Sequence, residues 1–155
     1  MRPLRKILVP TDFSPSSDEA LQLGLELARR FEGTVTLLHV YQIPAYPVPD
    51  GVIFAGPETT ADILARVTTA LDGAKARAEA AGGVVVQTMT VEGTPFVEIV
   101  RTAQAGQFDL IVLGKHGRSG LKHLIIGSTA EKVVRKAPCA VLTVRAGQPF
   151  EHPLD

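Results

Sequence analysis

DLIVLGKHGRSGLKHLIIGST, residues 109–129, joins an almost wholly apolar run to a loop rich in glycine and basic residues. The run at 109–113 is typical of a β-strand that is covered on both faces of a sheet. Helical periodicity resumes at Ser128, where Ser128 and Glu131 have the spacing of a capping box. A buried strand, a glycine loop and a helix start in this order indicate a parallel α/β protein.

The alternation of strand and helix patterns extends along the chain in both directions. Strands are predicted at residues 7–9, 35–40, 84–91, 109–113 and 139–144. Helices are predicted at residues 16–31 and 58–81, from Pro95 with Thr94 as its cap, and from Ser128 to the stop at Pro138. With right-handed crossovers, this βαβαβαβαβ order predicts an α/β fold: a single-domain, doubly wound, parallel five-stranded sheet with helices on both faces.

Three local predictions refine this scheme. The strands at 7–9, 109–113 and 139–144 are nearly all apolar, so we expect both of their faces to be covered, whereas the polar residues of 84–91 suit an edge strand. Ser16 and Glu19 predict a capping box at the first helix. Residues 41–57 contain four prolines and predict an irregular loop, which is either a surface excursion or a lid or partner-binding loop.

Composition narrows the function classes. The chain has 155 residues and equal numbers of acidic and basic side chains, so no net field favours nucleic acid or an anionic membrane. No apolar run is long enough for a transmembrane helix or a signal-peptide core, and Cys139 is the single cysteine, so a cytoplasmic protein is expected. Cys139 and His39 are interpreted as packing residues, and His116 and His123 do not have a zinc spacing, so no metal ligand is assigned.

Candidate site residues follow the first, second and fourth strands, because ligands of open α/β sheets bind beyond the carboxyl ends of the strands. The glycines at 114, 117 and 120 allow a close backbone approach and positive φ, and Gly127 and Ser128 begin a helix whose N–H groups favour a phosphate. The alternative is a tight turn followed by a helix cap. The P-loop and the dinucleotide fingerprint are both absent from the sequence.

The glycine spacing resembles that of a known family. Gly114-x-x-Gly117, nine residues, and then Gly127-Ser128 match the G-2x-G-9x-G-[ST] pattern of nucleotide-binding universal stress proteins. The segments 6–14, 37–40 and 138–144 resemble the opening strand and turn, the second strand and the closing strand of that family. The resemblance implies strand order 3-2-1-4-5, a universal stress protein domain at residues 1–146, a C-terminal tail at 147–155 and a homodimer through residues 139–144.

The resemblance also implies roles for matching positions. Asp12 would contact the nucleoside, although it could also cap the turn before Pro15; the backbone of Val40 would meet adenine, and the helix start at 127–129 would receive the phosphates. The full set of implied ATP-binding residues is Pro10, Thr11, Asp12, Val40, Gly114, Lys115, His116, Gly117, Arg118, Ser119, Gly120, Gly127, Ser128 and Thr129.

The expected function is that of a regulatory dimer in a stress response, which holds ATP or a similar adenine nucleotide with little or no turnover. Residues 114–129 contain no Asp or Glu, so any Mg²⁺ would be held mainly by the phosphates, Ser128 and water, and no catalytic residue is assigned. The alternatives are a slow ATPase and a nucleotide-free dimeric interaction module.

Overall fold

The main sheet confirms the predicted α/β architecture. The computed structural model describes residues 4–115 and 126–147. Five parallel strands, β1, β2, β5, β6 and β7, lie in the order β5-β2-β1-β6-β7, which is the predicted 3-2-1-4-5 once the separate hairpin of β3 and β4 is set aside. The strands are β1 Lys6–Pro10, β2 Thr34–Tyr41, β3 Ala45–Val48, β4 Gly51–Phe54, β5 Val85–Glu92, β6 Leu110–Gly114 and β7 Ala140–Val144. The helices are α1 Pro15–Phe31, α2 Pro57–Ala80, α3 Pro95–Ala105 and α4 Ser128–Lys136.

The core has two layers, one on each face of the sheet. Successive strand side chains point to opposite faces, so Ile7 packs with the residues of α1 and α2, and Leu8 packs with those of α3 and α4. Both side chains are fully buried, as the apolar first strand predicts. β7 differs from its prediction: it is the end strand of the order, and Leu142 is 37% exposed, because no further strand or helix covers that side among the described residues.

Both predicted capping boxes are wrong, although α4 begins at Ser128 as predicted and α1 begins one residue before Ser16. α1 is capped by Ser14, whose Oγ accepts from the Ser17 N–H at 3.3 Å, so Ser16 lies inside the helix and makes no capping box. The N-cap of α4 is Gly127, and Ser128 is the first helical residue. The start of α3 is confirmed, with Thr94 at the cap position followed by Pro95.

The predicted irregular loop at 41–57 contains an antiparallel hairpin of β3 and β4. Pro47 lies inside β3, which is tolerated because both strands of an isolated pair are edge strands. Tyr46 and Ile53 share one face of the hairpin, Phe54 lies on the other, and all three are more than half exposed. The hairpin therefore contributes little to the core of the domain.

Candidate functional site

A cleft of about 250 Å³ opens at the carboxyl ends of β1 and β6, between the two halves of the sheet. The chain leaves β1 toward β2 on one side and returns to β6 on the other, so the strand order reverses at this point and the two following loops diverge. The cleft is lined by Pro10, Thr11, Asp12, Ser17, Leu38, Val40, Pro95, Ile99, Leu113, Gly114, Lys115, Gly127, Ser128, Thr129 and Ala130.

Asp12 lies in a turn that is tightly held between β1 and α1. The Thr11 N–H donates to the Leu38 carbonyl at 2.8 Å, which extends the β1–β2 ladder by one bond beyond Pro10. Asp12 Oδ1 accepts from the Ser14 N–H at 3.1 Å, so the carboxylate caps the turn, as one of the two alternatives predicted, and also borders the cleft. Phe13 completes the turn with a φ of 62°, an uncommon left-handed conformation for a non-glycine residue.

His39, on the neighbouring strand β2, holds the same turn by a hydrogen bond and by a ring contact. Its Nδ1 lies 2.8 Å from the Thr11 carbonyl oxygen, and because a carbonyl only accepts, Nδ1 carries a proton and donates it. The imidazole stacks on the Phe13 ring with the ring centroids 4.6 Å apart. The interpretation of His39 as a satisfied core residue is confirmed, and its contacts fix the side of the turn opposite to the cleft.

Gly114 serves a different purpose from the one that the sequence predicted. Its φ is not positive, and a Cβ at this position would lie 2.6 Å from Ser16 Oγ and 2.9 Å from the Ser16 backbone. The glycine therefore lets the end of β6 lie directly against the start of α1. The next residue, Lys115, continues the pairing of β6 with β7, because its N–H donates to the Val144 carbonyl.

The start of α4 forms the wall opposite Asp12. Gly127 adopts an extended conformation with a φ of −69°, so it also has no need of positive φ, and no side chain of the described residues caps the helix. The Gly127 N–H donates to the Lys115 carbonyl at 2.8 Å, which holds the helix start against the end of β6. The next N–H groups have no acceptor inside the helix, and the positive end of the helix dipole lies with them. An anionic oxygen fits the chemistry of this wall.

The cleft brings together most of the predicted residues. Those that line it are Pro10, Thr11, Asp12, Val40, Gly114, Lys115, Gly127, Ser128 and Thr129. The predicted residues His116, Gly117, Arg118, Ser119 and Gly120 lie outside the described part of the chain.

Sequence reasoning missed several lining residues, namely Ser17, Leu38, Pro95, Ile99, Leu113 and Ala130. Pro95 begins α3 at the same edge of the sheet as Asp12, because α3 follows a strand that is parallel to β1. The loop after β5 was therefore the available signal. Leu38 and Leu113 gave no such signal, since apolar residues near strand ends are usually core.

Two further sets of residues bear on the chemistry. Burial raises the pKa of the Cys139 thiol, and the nearby Asp109 carboxylate raises it further, so the thiol is protonated and a weak nucleophile at neutral pH. Cys139 is partly buried against the α3–α4 layer, in keeping with its interpretation as a packing residue.

Among residues 4–115 and 126–147, no cluster of three or more His, Cys, Asp or Glu side chains could hold a metal ion. None of the helices in those ranges is both long and apolar enough to cross a membrane.

Comparisons of the sequence and of the structure with known proteins all point to one family. The model of the universal stress protein family matches residues 3–145. Universal stress protein MJ0531 of Methanocaldococcus jannaschii is 35% identical over 143 residues, which cover 91% of this chain and 82% of that protein. The solved structure of universal stress protein UspA from Lactobacillus plantarum is 27% identical, with a TM-score of 0.78, and the match covers 94% of this chain and 100% of that one. A universal stress protein solved in complex with cAMP is 25% identical, with a TM-score of 0.70, and the match covers 94% and 100% of the two chains.

Proposed function

The chain belongs to the universal stress protein family, and from this premise we propose that it holds ATP or a similar adenine nucleotide in the cleft between β1 and β6. The observation that carries the proposal is the meeting of three features in one cleft: the Asp12 turn, the end of β2 at Val40 and the uncapped start of α4 at Gly127. The similar universal stress protein in complex with cAMP supports an adenine nucleotide as the ligand class.

The two ends of the cleft suit the two ends of a nucleotide. Leu38, Val40, Pro95 and Ile99 offer an apolar surface on which a flat base can pack, and Asp12 offers carboxylate oxygens to sugar hydroxyl groups. At the other end, the backbone N–H groups that follow Gly127 can donate to phosphate oxygens. The nucleotide would then span the reversal point of the sheet, with its base toward β2 and its phosphates toward α4.

The proposed role is retention of the nucleotide with little turnover. Asp12 is the one carboxylate among the described lining residues, and it lies at the proposed nucleoside end. Hydrolysis needs an oriented water and a metal held near the terminal phosphate. At the α4 end, Ser128 and Thr129 offer hydroxyl groups only, so Mg²⁺ would be held mainly by the phosphates, Ser128 and water. A steady-state assay should accordingly give far fewer than one ATP hydrolysed per second per chain.

Identification of the bound molecule is the direct test. Protein purified without added nucleotide is denatured, and the released small molecules are separated by chromatography and identified by mass spectrometry. We expect an adenine nucleotide at a substantial fraction of one per chain. A protein that releases none, and that binds neither ATP nor adenosine by titration calorimetry, would be a nucleotide-free module, and the proposal would be wrong.

We further propose that the protein forms a homodimer through residues 139–144, which contain β7. β7 is the end strand of the sheet in the described residues, so its outer edge can pair with a second copy. Replacing Leu142 with Lys puts a charge at this edge in both copies, and we expect the dissociation constant of the dimer to rise by at least about tenfold. Light scattering after gel filtration measures the change.

Met89→Lys is the matched control for this experiment, because Met89 is similarly exposed on β5, the strand at the other end of the sheet. We expect the Met89 variant to remain a dimer. If Leu142→Lys also remains dimeric, or if both variants dissociate equally, the dimer does not form through β7.

A further inference from the structure

The Asp12 turn is held by a chain of hydroxyl groups with only one consistent order of protons. The Ser17 hydroxyl donates to the Ser14 carbonyl at 2.8 Å, since a carbonyl cannot donate. Ser17 Oγ, 3.1 Å from Thr11 Oγ1, must therefore accept the proton of the Thr11 hydroxyl. Thr11 Oγ1 in turn accepts from the Phe13 N–H at 3.0 Å. The chain thus closes the turn across Asp12, from Phe13 back to Ser14.

The hydroxyl chain is largely shielded from water. Thr11, Ser14 and Ser17 are each at least nine-tenths buried, so a broken bond in this chain would not easily be replaced by a bond to solvent. The turn also contains the left-handed Phe13, a conformation that persists only where surrounding contacts hold it. The hydroxyl chain supplies part of that restraint, and the Asp12 carboxylate lies within the segment that it restrains.

We propose that Ser17 is a positioning residue of the cleft, which fixes the Asp12 carboxylate in the orientation that a nucleoside requires. The inference rests on the proposed nucleotide function and deepens it. It states that a buried hydroxyl, which bonds to the turn, raises the affinity for the nucleoside indirectly. Ser17 borders the cleft, yet its hydroxyl makes its hydrogen bonds with Thr11 and Ser14, which belong to the turn. Ser17 therefore acts through the turn and through Asp12.

The adjacent serine provides a matched control. Ser16 is also buried in the first turn of α1, and its hydroxyl also donates to a backbone carbonyl, that of Val144 at 3.3 Å. This bond leads to the end of β7 and makes no contact with the Asp12 turn. Ser16→Ala and Ser17→Ala thus each remove one buried hydroxyl of the same helix turn, but only Ser17→Ala breaks the hydroxyl chain.

The experiment measures adenosine and ATP affinity by titration calorimetry for the wild type, Ser16→Ala, Ser17→Ala and Ser17→Thr. Circular dichroism and thermal unfolding confirm that each variant is folded. We expect Ser17→Ala to weaken adenosine binding about tenfold, the scale of one lost buried hydrogen bond. Ser16→Ala should leave the affinity within about twofold of the wild type, because the hydrogen bond that it removes ends at Val144 and not in the Asp12 turn. Ser17→Thr retains the hydroxyl and should recover most of the affinity.

A double-mutant cycle with Asp12→Asn separates positioning from a general loosening of the cleft. If Ser17 acts through Asp12, Ser17→Ala should cost much less affinity in the Asp12→Asn background than in the wild type. Equal costs in the two backgrounds would overturn the inference, as would equal losses in Ser16→Ala and Ser17→Ala. A wild-type protein that binds neither adenosine nor ATP would instead overturn the proposed function, and this inference with it.

Discussion

The starts of α1 and α4 lie at the same edge of the sheet and border the same cleft, yet they satisfy their first N–H groups in opposite ways. α1 has a serine cap, whose hydroxyl accepts from Ser17 N–H, and the Asp12 carboxylate accepts from the Ser14 N–H just before it. α4 has a glycine cap, with no side chain to accept. The start of α1 is closed by side chains of its own turn, whereas the start of α4 has a glycine cap and, in the proposed function, would donate to a phosphate.

The largest effect is expected from a side chain at the open helix start. Gly127→Val should lower ATP affinity at least about 100-fold, because the valine side chain would occupy the space that a phosphate needs at the N–H groups. The φ of −69° at Gly127 is allowed for valine, so the fold should persist. Titration calorimetry measures the affinity, and circular dichroism the fold.

Gly56→Val is the control for this variant. Gly56 is also an extended N-cap glycine without a side-chain cap, at the start of α2, and it does not line the cleft. A Cβ at Gly56 would have no neighbour within 4 Å. Equal ATP affinity in the two variants would show that the start of α4 is not where the phosphates bind.

A second substitution tests how closely the closed helix start is packed. Gly114→Ala places a methyl group within 3 Å of the Ser16 backbone, so we expect a loss of about 2 kcal/mol in the free energy of unfolding, as for other overpacked sites. Urea denaturation measures it. Gly73→Ala, in the interior of α2 with Arg77 as its nearest neighbour at 3.6 Å, should instead stabilise the protein. A Gly114→Ala variant as stable as the wild type would mean that α1 and β6 are not in close contact.

The smallest expected effect is a change in stability on removal of the Ser14 cap of α1. Ser14→Ala removes the side chain that accepts from Ser17 N–H, and we expect a loss of about 1 kcal/mol in the free energy of unfolding. Thr94→Ala at the start of α3 should cost almost nothing, because the Thr94 side chain makes no capping bond. Thermal unfolding compares the two. If both variants lose the same stability, the Ser14 cap contributes nothing of its own.

The sequence predicted the sheet well because its central strands are simple. β1 and β6 are short apolar runs followed by polar loops, and burial on both faces leaves few other arrangements for them. The strand order came from the family resemblance, and the reversal point then placed Asp12 and Gly114 in one cleft. Most of the residues expected there line it, as far as the described ranges extend.

Each wrong prediction has an identifiable physical cause. Ser16 and Glu19 have the spacing of a capping box, but Pro15 occupies the first helical position, so the helix begins one residue earlier and Ser14 is its cap. Pro47 lacks a backbone N–H and so argued against a strand in the 41–57 segment. In an isolated two-stranded hairpin each strand has a free edge, so a residue without an N–H is tolerated there. The role of Gly114 depends on a neighbour almost one hundred residues earlier in the chain, which no local pattern reveals.

The backbone of Lys115 has a consequence for hydrogen exchange. Its N–H is bonded to the carbonyl of Val144 in β7, and its own carbonyl accepts from Gly127 at the start of α4. The amide proton of Lys115 can exchange with deuterium only when it separates from β7, and that of Gly127 only when it separates from β6. The amide protons of Lys115 and Gly127 therefore form a pair of reporters: exchange at Lys115 reports loosening at the edge of the sheet, and exchange at Gly127 reports loosening at the cleft.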